Sequence, residues 1–554
     1  MNAKSKSVVL GRPKFVSQDL NQLANVRGFE SAWARFFQDW KPEDLVGISG
    51  NFAVGLTDEQ GRTILAIDRF AVRSLCYRVV GTELRFAERA NDLADANSEI
   101  DPQAIYNYLY FHIIPSPETI FRGIHRLPPG HYALFEKGEL TVRRYWLPEF
   151  VEAREANFSA LRDEFRDLLH QAVADQLDGS KPACFLSGGT DSSTIAGMIG
   201  EVCGQPADTY SIGFEAEGYD EMEFARIAAR KFGARHHEYY VTPDDLVRSI
   251  PFVAQSYDQP FGNSSALPAY YCAKMAREDG VTRLLAGDGG DELFGGNTRY
   301  AKQKVFGIYD QVPAVLRGAL LEPMLLKTPL GSLPLLRKGR SYIEQAKVPL
   351  PDRTQTYNLL YRLGLERVFP AEFLGRIDLG DPDQQQRAVW QEAKARSQTN
   401  LELAFDWRYT LAECDLPKVV GTTALAGTEV GFPMLDNRLV EFSMRLPVDY
   451  KLKGLRLRWF FKEALRGFLP DEIITKKKQG FGLPFGVWAV KHKPLRDLAE
   501  DSLRGLVERG ILRGEFVDSL FARYLQEHPG YYGEMVWISM MMEQWMRGER
   551  NSKQ

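Results

Sequence analysis

A loop at residues 186–193, Leu-Ser-Gly-Gly-Thr-Asp-Ser-Ser, combines residue types that can hold a bound anion. A short apolar stretch precedes it and the run 194–199 follows, which predicts a strand, a tight turn and the start of a helix. Two adjacent glycines let the backbone approach a ligand, and the N–H groups at a helix N-terminus attract anions. Asp191 would repel a phosphate unless a divalent cation lay between them, so the loop predicts pyrophosphate bound with Mg²⁺. The loop does not have the sequence of a Walker loop. The alternative to a pyrophosphate-binding loop is an ordinary Gly-Gly turn capped by serine.

A second loop, residues 287–296, has the sequence Gly-Asp-Gly-Gly-Asp-Glu-Leu-Phe-Gly-Gly and follows a predicted buried strand. So many glycines lower stability unless the turn requires them. A solvated acidic turn is the alternative, but it would not need these glycines. If the two loops lie at neighbouring strand ends, Asp191 and Asp291 can hold one Mg²⁺ on a pyrophosphate.

A run of three lysines, residues 476–478, stands before a Gly-Phe-Gly turn at 480–482. Such a run is usually solvated surface, which is the prediction for Lys476 and Lys477. Lys478 lies beside the turn and is predicted to point inward. Its ammonium group would stabilise the charge that develops as pyrophosphate leaves.

The order of the predicted elements indicates two kinds of sheet. Short strands with turns between them, at about 45–90 and in a hairpin at 132–142, predict an antiparallel sheet. Strands and helices then alternate, which predicts a parallel α/β sheet with ligands at its carboxyl edge: helix 159–176, strand 183–185, strand 209–214, helix 221–232 and strand 284–286. After Tyr300 the chain is predicted to be mostly helical. We expect domains at 1–150 and 151–554.

The bulk composition is that of a soluble globular protein. Its 554 residues are more than a single hydrophobic core usually accommodates, so more than one domain is expected. The residues are 44% hydrophobic and 26% charged, with a net charge of −4, so no nucleic-acid partner is expected. No apolar stretch reaches membrane-spanning length, and no signal-peptide core follows the N-terminus. Five scattered cysteines predict reduced thiols, a cytoplasmic location and no metal cluster.

Several motifs in sequence order resemble the class B asparagine synthetase family over most of the chain. They are residues 187–193, which also match the ATP-pyrophosphatase signature, and 210–214, 258–268, 287–296, 432–441 and 478–482. The resemblance implies an α/β and α+β fold. An N-terminal, Ntn-hydrolase-like antiparallel β domain would precede an ATP-pyrophosphatase domain of the PP-loop, adenine nucleotide α-hydrolase-like type. That second domain would be parallel α/β with a helical C-terminal part.

The resemblance also implies a reaction that uses ATP and Mg²⁺. A carboxylate would attack the α-phosphate and release pyrophosphate, and ammonia or an amine would then convert the acyl-adenylate to an amide and AMP. The implied catalytic residues are Lys478, Asp288 and Glu429, and the implied metal ligands are Asp191 and Asp291. The implied ATP and pyrophosphate residues are Leu186, Ser187, Gly188, Gly189, Asp191, Ser192, Ser193, Ser211, Ile212, Gly287 and Asp288.

Residues 45–146 resemble the glutaminase domain of that family, but the residues for glutamine hydrolysis are missing. Asn2 stands where the family has its N-terminal cysteine, and the first cysteine of the chain is Cys76. The stretches that build the glutamine pocket are also missing. We therefore expect a retained domain without glutaminase activity.

Two glycines depart from the family pattern in the second domain. Gly421 and Gly431 stand where the family usually has Asp and Arg, which predicts an altered carboxylate site. One hypothesis is ammonia-dependent amidation of an aspartate-like carboxylate. Another is a tailoring ligase like β-lactam synthetases or lasso-peptide cyclases, whose small-molecule or peptide substrate carries its own amine. A third is a non-catalytic regulator that binds nucleotide. Ammonia could be free or supplied by another protein, and the family implies a homodimer.

Overall fold

The structure, a computed structural model, describes residues 7–151, 156–323, 334–477, 480 and 482–553. The N-terminal part contains two antiparallel sheets, with strand orders β1-β2-β3-β7-β8 and β5-β4-β6. Its elements are β1 Ser7–Gly11, α1 Gln18–Arg27, α2 Phe29–Phe36, β2 Phe52–Thr57, β3 Thr63–Ile67, β4 Cys76–Val80, β5 Glu83–Ala87, α3 Pro102–Phe111, β6 His125–Arg126, β7 His131–Glu136 and β8 Glu139–Arg144.

Alternation along β2 explains how the N-terminal layers pack. Phe52 and Val54 lie in one core with Trp33 of α2, whereas Ala53 lies in another core with Leu75 and Tyr77 beside the second sheet. Because successive side chains of a strand point to opposite faces, one sheet buries both faces. The result is a layer of helices on one side and the smaller sheet on the other.

The second part is built on a parallel sheet with the strand order β11-β10-β9-β12-β13. The strands are β9 Ala183–Phe185, β10 Asp208–Phe214, β11 Arg235–Val241, β12 Arg283–Leu285 and β13 Glu429–Gly431, and their pairings are parallel. The chain runs outward from β9 to β11 and then returns to the other side of β9. Ligands bind such sheets where the strand order reverses, which is between β9 and β12.

Helices cover this sheet and form most of the remaining chain. Those that connect the strands are α4 Phe158–Gln176, α5 Thr190–Cys203, α6 Met222–Phe232, α7 Pro243–Ser256, α8 Ala266–Glu278, α9 Gly290–Phe294 and α10 Thr298–Gln311. The later α-helices of four or more residues in the described ranges are Pro334–Ala346, Leu359–Leu363, Leu365–Val368, Ala371–Leu374, Asp381–Glu392, Gln398–Asp406, Leu416–Ala426, Asn437–Arg445, Val448–Lys451, Trp459–Ala464, Asp471–Thr475, Phe485–Lys491, Lys493–Glu508, Gly514–Ser519 and Pro529–Lys553. In the described ranges, no helix combines the length and the apolar character that a bilayer span requires.

The predicted fold class is confirmed, because an antiparallel β part precedes a parallel sheet and a helical C-terminal part. The predicted helix at 159–176 and strand at 209–214 lie within one residue of α4 and β10. Helices α1, α2 and α3 have no counterpart among the predicted elements. Most residues of α3 are buried, so it has no polar face and no amphipathic period to detect.

Buried polar and apolar contacts join the N-terminal part to the rest of the chain. Arg126 is 2.7 Å from Asp258, and the Tyr108 hydroxyl donates to the Ile538 carbonyl oxygen at 2.9 Å. Residues of α3 and of the C-terminal helix Pro529–Lys553 share one hydrophobic cluster. The two parts therefore share a common core.

Candidate active site

The glycine loop between β9 and α5 is held by its own hydroxyl groups. The Ser187 N–H donates to Ser192 Oγ at 3.1 Å, and the Gly189 N–H donates to Ser187 Oγ at 3.3 Å. Gly188 has a φ of +70°, and a Cβ there would lie 2.5 Å from the backbone nitrogen of Ala225 in α6, so only glycine fits. The loop leads into the N-terminus of α5, which has no side-chain cap and offers its N–H groups to an anion.

Glycines of the second loop make room for two carboxylates. A Cβ on Gly290 would overlap Asp191 Oδ1, and a Cβ on Gly296 would overlap Asp291 Oδ1. A Cβ on Gly287 would lie 2.9 Å from the backbone carbonyl carbon of Asp191. The glycines therefore allow this loop to pack against the start of α5. Close packing, rather than a solvated turn, explains their number.

Arg458 joins the two aspartates. It precedes the helix Trp459–Ala464, and its side chain is 4% exposed. One guanidinium nitrogen donates to Asp191 Oδ1, and the other donates to Asp291 Oδ1 at 2.7 Å and to Thr190 Oγ1 at 2.8 Å. Asp191 and Asp291 come from different loops, yet both contact the same cation.

Lys418 pairs with two further acids in this region. Its Nζ lies 3.4 Å from Asp288 Oδ1 and 3.2 Å from Asp415 Oδ1. Burial raises the pKa of Asp288, and the lysine charge offsets only part of that shift. Burial would lower the pKa of Lys418, but the two carboxylates outweigh it, so the net shift of the Lys418 pKa is upward. Lys418 is thus a fixed cation beside Asp288.

Lys476 is part of a buried ion pair, so the prediction that it is solvated surface is wrong. Its Nζ lies 2.7 Å from Glu221 Oε1 and 4.4 Å from the centre of the Phe224 ring, and it donates to the Gly188 carbonyl oxygen at 3.4 Å. The Lys476 and Glu221 side chains are 10% and 9% exposed. Lys478 lies outside the described residues, and its role stays a prediction.

These groups line one cleft of about 720 Å³ at the carboxyl edge of the parallel sheet. Gly188 packs behind the loop against α6, and Ser193 is buried beneath it with no hydrogen-bond partner for its hydroxyl among the described residues. The structure therefore does not bring these two to the cleft surface. The other residues predicted to bind ATP, pyrophosphate or Mg²⁺ do line the cleft: Leu186, Ser187, Gly189, Asp191, Ser192, Ser211, Ile212, Gly287, Asp288 and Asp291.

Glu429 lies away from this cleft, so the structure does not bring it together with the other predicted site residues. It begins β13 and pairs with Arg283 at the start of β12, so it lies at the amino edge of the sheet. Its carboxylate is 2.7 Å from Arg12 and 3.8 Å from Arg283. The parallel strands carry their ligand loops at the opposite edge. Glu429 instead links the N-terminal part to the parallel sheet.

Gly421 and Gly431, the two departures noted in the sequence, are packing positions outside the cleft lining. A Cβ on Gly431 would lie 2.9 Å from a guanidinium nitrogen of Arg283, and a Cβ on Gly421 would lie 2.6 Å from the Tyr257 ring. Side chains of Arg283 and Tyr257 fill the space that larger residues would need. Their positions give no support to an altered carboxylate site at these glycines.

The family model described as "Asparagine synthase" matches residues 164–547, a segment that contains every residue of the cleft and more than half of the chain. The chain belongs to the asparagine synthase family. The model "Glutamine amidotransferase domain" matches residues 33–146. Several relatives of this asparagine synthase family member carry the name asparagine synthetase, and the chain is a carbon–nitrogen ligase.

Curated relatives of this asparagine synthase family member include bacterial and fungal proteins. "Asparagine synthetase [glutamine-hydrolyzing] 1" of Bacillus subtilis is 25% identical, with 82% of this chain and 70% of the relative covered. "Putative asparagine synthetase [glutamine-hydrolyzing]" of Mycobacterium bovis is 28% identical, with 82% and 70% covered. "Amidase chry2" of Gibberella zeae is 22% identical, with 81% and 72% covered.

Three cations of the cleft, Lys418, Arg458 and Lys476, were not among the predicted site residues. The available signal was electrostatic, because acids gathered in a partly buried cleft need cations nearby. Lys418 and Arg458 lie far along the chain from both loops, and Arg458 is one of several basic residues at 451–462. Their partners become known only when the fold brings distant segments together.

Replacing Lys476 with methionine should destabilise the protein, because the buried Glu221 carboxylate would lose its counter-ion. We expect the free energy of unfolding to fall by about 3 kcal/mol, measured by denaturant titration. The control is Lys231→Met on the exposed end of α6, which should change it by less than about 0.5 kcal/mol. Equal effects of the two substitutions would contradict the buried ion pair.

Proposed function

We propose that this chain adenylates a carboxylate with ATP, releases pyrophosphate, and transfers the acyl group to ammonia or an amine. The observation that carries this proposal is the convergence of Asp191 and Asp291 beside the glycine loop at the strand-order reversal. Oxygen ligands from one or two carboxylates, completed by phosphate oxygens, are the usual surroundings of protein-bound Mg²⁺. The donor set therefore fits a magnesium–pyrophosphate group.

The cleft residues divide into three proposed roles. The Ser187 and Ser192 hydroxyls and the Gly189 N–H surround the pyrophosphate at the N-terminus of α5. Asp191 and Asp291 hold Mg²⁺, which would neutralise the charge on the departing pyrophosphate. Four further lining residues are proposed to contact the nucleoside: Leu186, Ser211, Ile212 and Gly287.

The first proposed step is a substitution at the α-phosphorus of ATP, and the second is a substitution at the acyl carbon. A carboxylate oxygen attacks the α-phosphorus, and the bond to the bridging oxygen of pyrophosphate breaks. The amine nitrogen next attacks the acyl carbon, and the carbon–oxygen bond to AMP breaks. We propose that the carboxylate of Asp288 accepts the proton that this nitrogen loses, with Lys418 holding it in place. Lys478 is proposed to stabilise the charged transition states.

The nitrogen is proposed to arrive as ammonia or an amine and not by glutamine hydrolysis in this chain. Cys76 is the one cysteine among residues 7–151, and its side chain is buried. Burial raises the pKa of the Cys76 thiol to about 11, whereas a nucleophilic cysteine needs an accessible thiolate. The same observation favours a second candidate, in which the amine belongs to the substrate itself, as in β-lactam synthetases or lasso-peptide cyclases.

The deciding assay supplies ATP, Mg²⁺ and aspartate with either ammonium or amide-¹⁵N-glutamine and detects pyrophosphate, AMP and labelled product. We expect pyrophosphate and AMP with ammonium, and no glutamate or labelled amide with glutamine. Turnover that requires neither ammonium nor glutamine, and that occurs only with a substrate whose own amine attacks the activated carboxyl group, would select the second candidate. Formation of ADP and phosphate in place of AMP and pyrophosphate would contradict adenylation, and labelled amide would contradict the loss of glutaminase activity.

A further inference from the structure

The contacts of Arg458 place a protein cation where the proposed function places a metal ion. Its guanidinium bridges Asp191 and Asp291 and also contacts Thr190. We propose that Arg458 is the resident counter-ion of the metal site and that Mg²⁺ enters only when the phosphates of ATP draw this guanidinium away. This inference rests on the proposed assignment of the two aspartates as magnesium ligands.

The backbone holds Arg458 firmly in this position. Its φ of +54° lies in the left-handed region, which is unfavourable for a residue with a side chain. The Arg458 N–H donates to the Gly295 carbonyl oxygen at 3.2 Å, so the loop that carries Asp291 also anchors the arginine. The Phe461 ring lies 4.5 Å from the guanidinium carbon and supports one face of the group. These constraints favour a specific position over a chance surface contact.

Arg458 is packed closely against the glycines of the loop that carries Asp291. A Cβ on Gly290 would lie 3.0 Å from an Arg458 guanidinium nitrogen, and a Cβ on Gly296 would lie 2.6 Å from its Cδ. One oxygen of each aspartate already contacts the guanidinium, and a metal ion held by both aspartates would need to approach the same two carboxylates. We therefore expect the two cations to compete for these carboxylates.

The cleft offers a second position for the Arg458 guanidinium once it leaves the two aspartates. Arg458 lines the cleft together with the glycine loop, so a rotation of its side chain would direct the guanidinium toward bound phosphates. Its Nε is buried and has no hydrogen-bond partner within the described ranges. A phosphate oxygen would satisfy such a donor and form a charge-assisted hydrogen bond. Nucleotide binding and metal entry are thereby coupled through one side chain.

The test measures Mn²⁺ binding to the nucleotide-free, full-length protein by the loss of the free Mn²⁺ signal in electron paramagnetic resonance. Arg458→Met, which removes the charge but keeps much of the side-chain bulk, should bind Mn²⁺ at least tenfold more tightly than the wild type. Mg²⁺ should compete for that site, and Asp191→Asn in the same variant should abolish it. If Arg458→Met does not fold, Arg458→Lys serves instead. A lysine offers a single ammonium group in place of the two guanidinium nitrogens that contact the aspartates, so the Mn²⁺ affinity of this variant should be at least threefold higher than that of the wild type.

Arg438→Met is the matched control. Arg438 bridges Asp436 and Asp175 at 2.8 Å and 2.7 Å, as Arg458 bridges its own pair, but it lies outside the cleft lining. Its loss should leave Mn²⁺ affinity unchanged. Equal Mn²⁺ affinities of the wild type and the folded Arg458 variant would overturn the inference. Tight Mn²⁺ binding by the Arg458 variant, with no pyrophosphate release by the wild type on any carboxylate, would uphold it while the proposed reaction failed.

Discussion

Replacing Asp191 or Asp291 with asparagine should abolish ATP-dependent pyrophosphate release while the protein stays folded. The amide oxygen can still accept a hydrogen bond from Arg458, so the local packing is preserved. The missing negative charge removes the electrostatic attraction that would hold Mg²⁺ on the leaving group. We expect each rate to fall by about 1,000-fold or more, equivalent to about 4 kcal/mol of transition-state stabilisation.

The measurement is pyrophosphate release at saturating ATP and Mg²⁺, together with thermal unfolding to show that each variant folds. Asp175→Asn is a suitable control because Asp175 pairs with Arg438 and Lys14 outside the cleft lining. That variant should retain a rate close to the wild type. Wild-type release by Asp191→Asn or Asp291→Asn would refute the magnesium assignment.

Replacing Gly188 with alanine should impair both stability and activity. The residue has a φ of +70°, and a left-handed backbone costs alanine about 1–2 kcal/mol. In addition, the new Cβ would lie 2.5 Å from the Ala225 nitrogen, so α6 or the loop would have to move. Such a shift would displace the Ser187 and Ser192 hydroxyls from the proposed pyrophosphate site. We expect pyrophosphate release to fall by about 100-fold, since misplacement by about 1 Å has effects of that size.

Gly204 provides the comparison that separates the two causes. It lies at the other end of α5 with a φ of +65°, and a Cβ there would meet nothing within 4 Å. Gly204→Ala should therefore lower the free energy of unfolding only by the cost of a left-handed backbone to alanine. Its rate of pyrophosphate release should stay near that of the wild type. The decisive quantities are the free energy of unfolding and the rate for both variants. If Gly188→Ala loses no more activity than Gly204→Ala, the close approach of the loop to α6 is not needed for function.

The predicted residues that line the cleft come mostly from short segments whose own sequence marks them as a ligand-binding loop. The loops at 186–193 and 287–296 each combine a strand end, glycines and an acid, and both line the cleft. Glu429 shows the limit of this reasoning, because its position at the amino edge of β13 depends on how the sheet is assembled. Lys476 shows another limit: its burial depends on Glu221, which is remote in sequence.

Element prediction met a related limit in the N-terminal part. Alternating strands such as β2 and β3 carry a period of two that reports which face is buried. Helix α3 is buried on nearly every side, so its residues carry no period that distinguishes a helix from a strand. Its surroundings come from the C-terminal helix Pro529–Lys553, which is distant in sequence. Such a helix is defined by tertiary packing.

The shared core of the two parts has a consequence for how this protein can change over evolution. A chain that began at residue 156 would leave Asp258 without Arg126, its partner, and would uncover the apolar surface that α3 occupies. If the N-terminal domain does not hydrolyse glutamine, as proposed, it would still be needed as a scaffold for the ligase part. Selection would then act on its shape and packing, so substitutions there would alter the yield of folded ligase and leave the chemistry of each folded molecule intact.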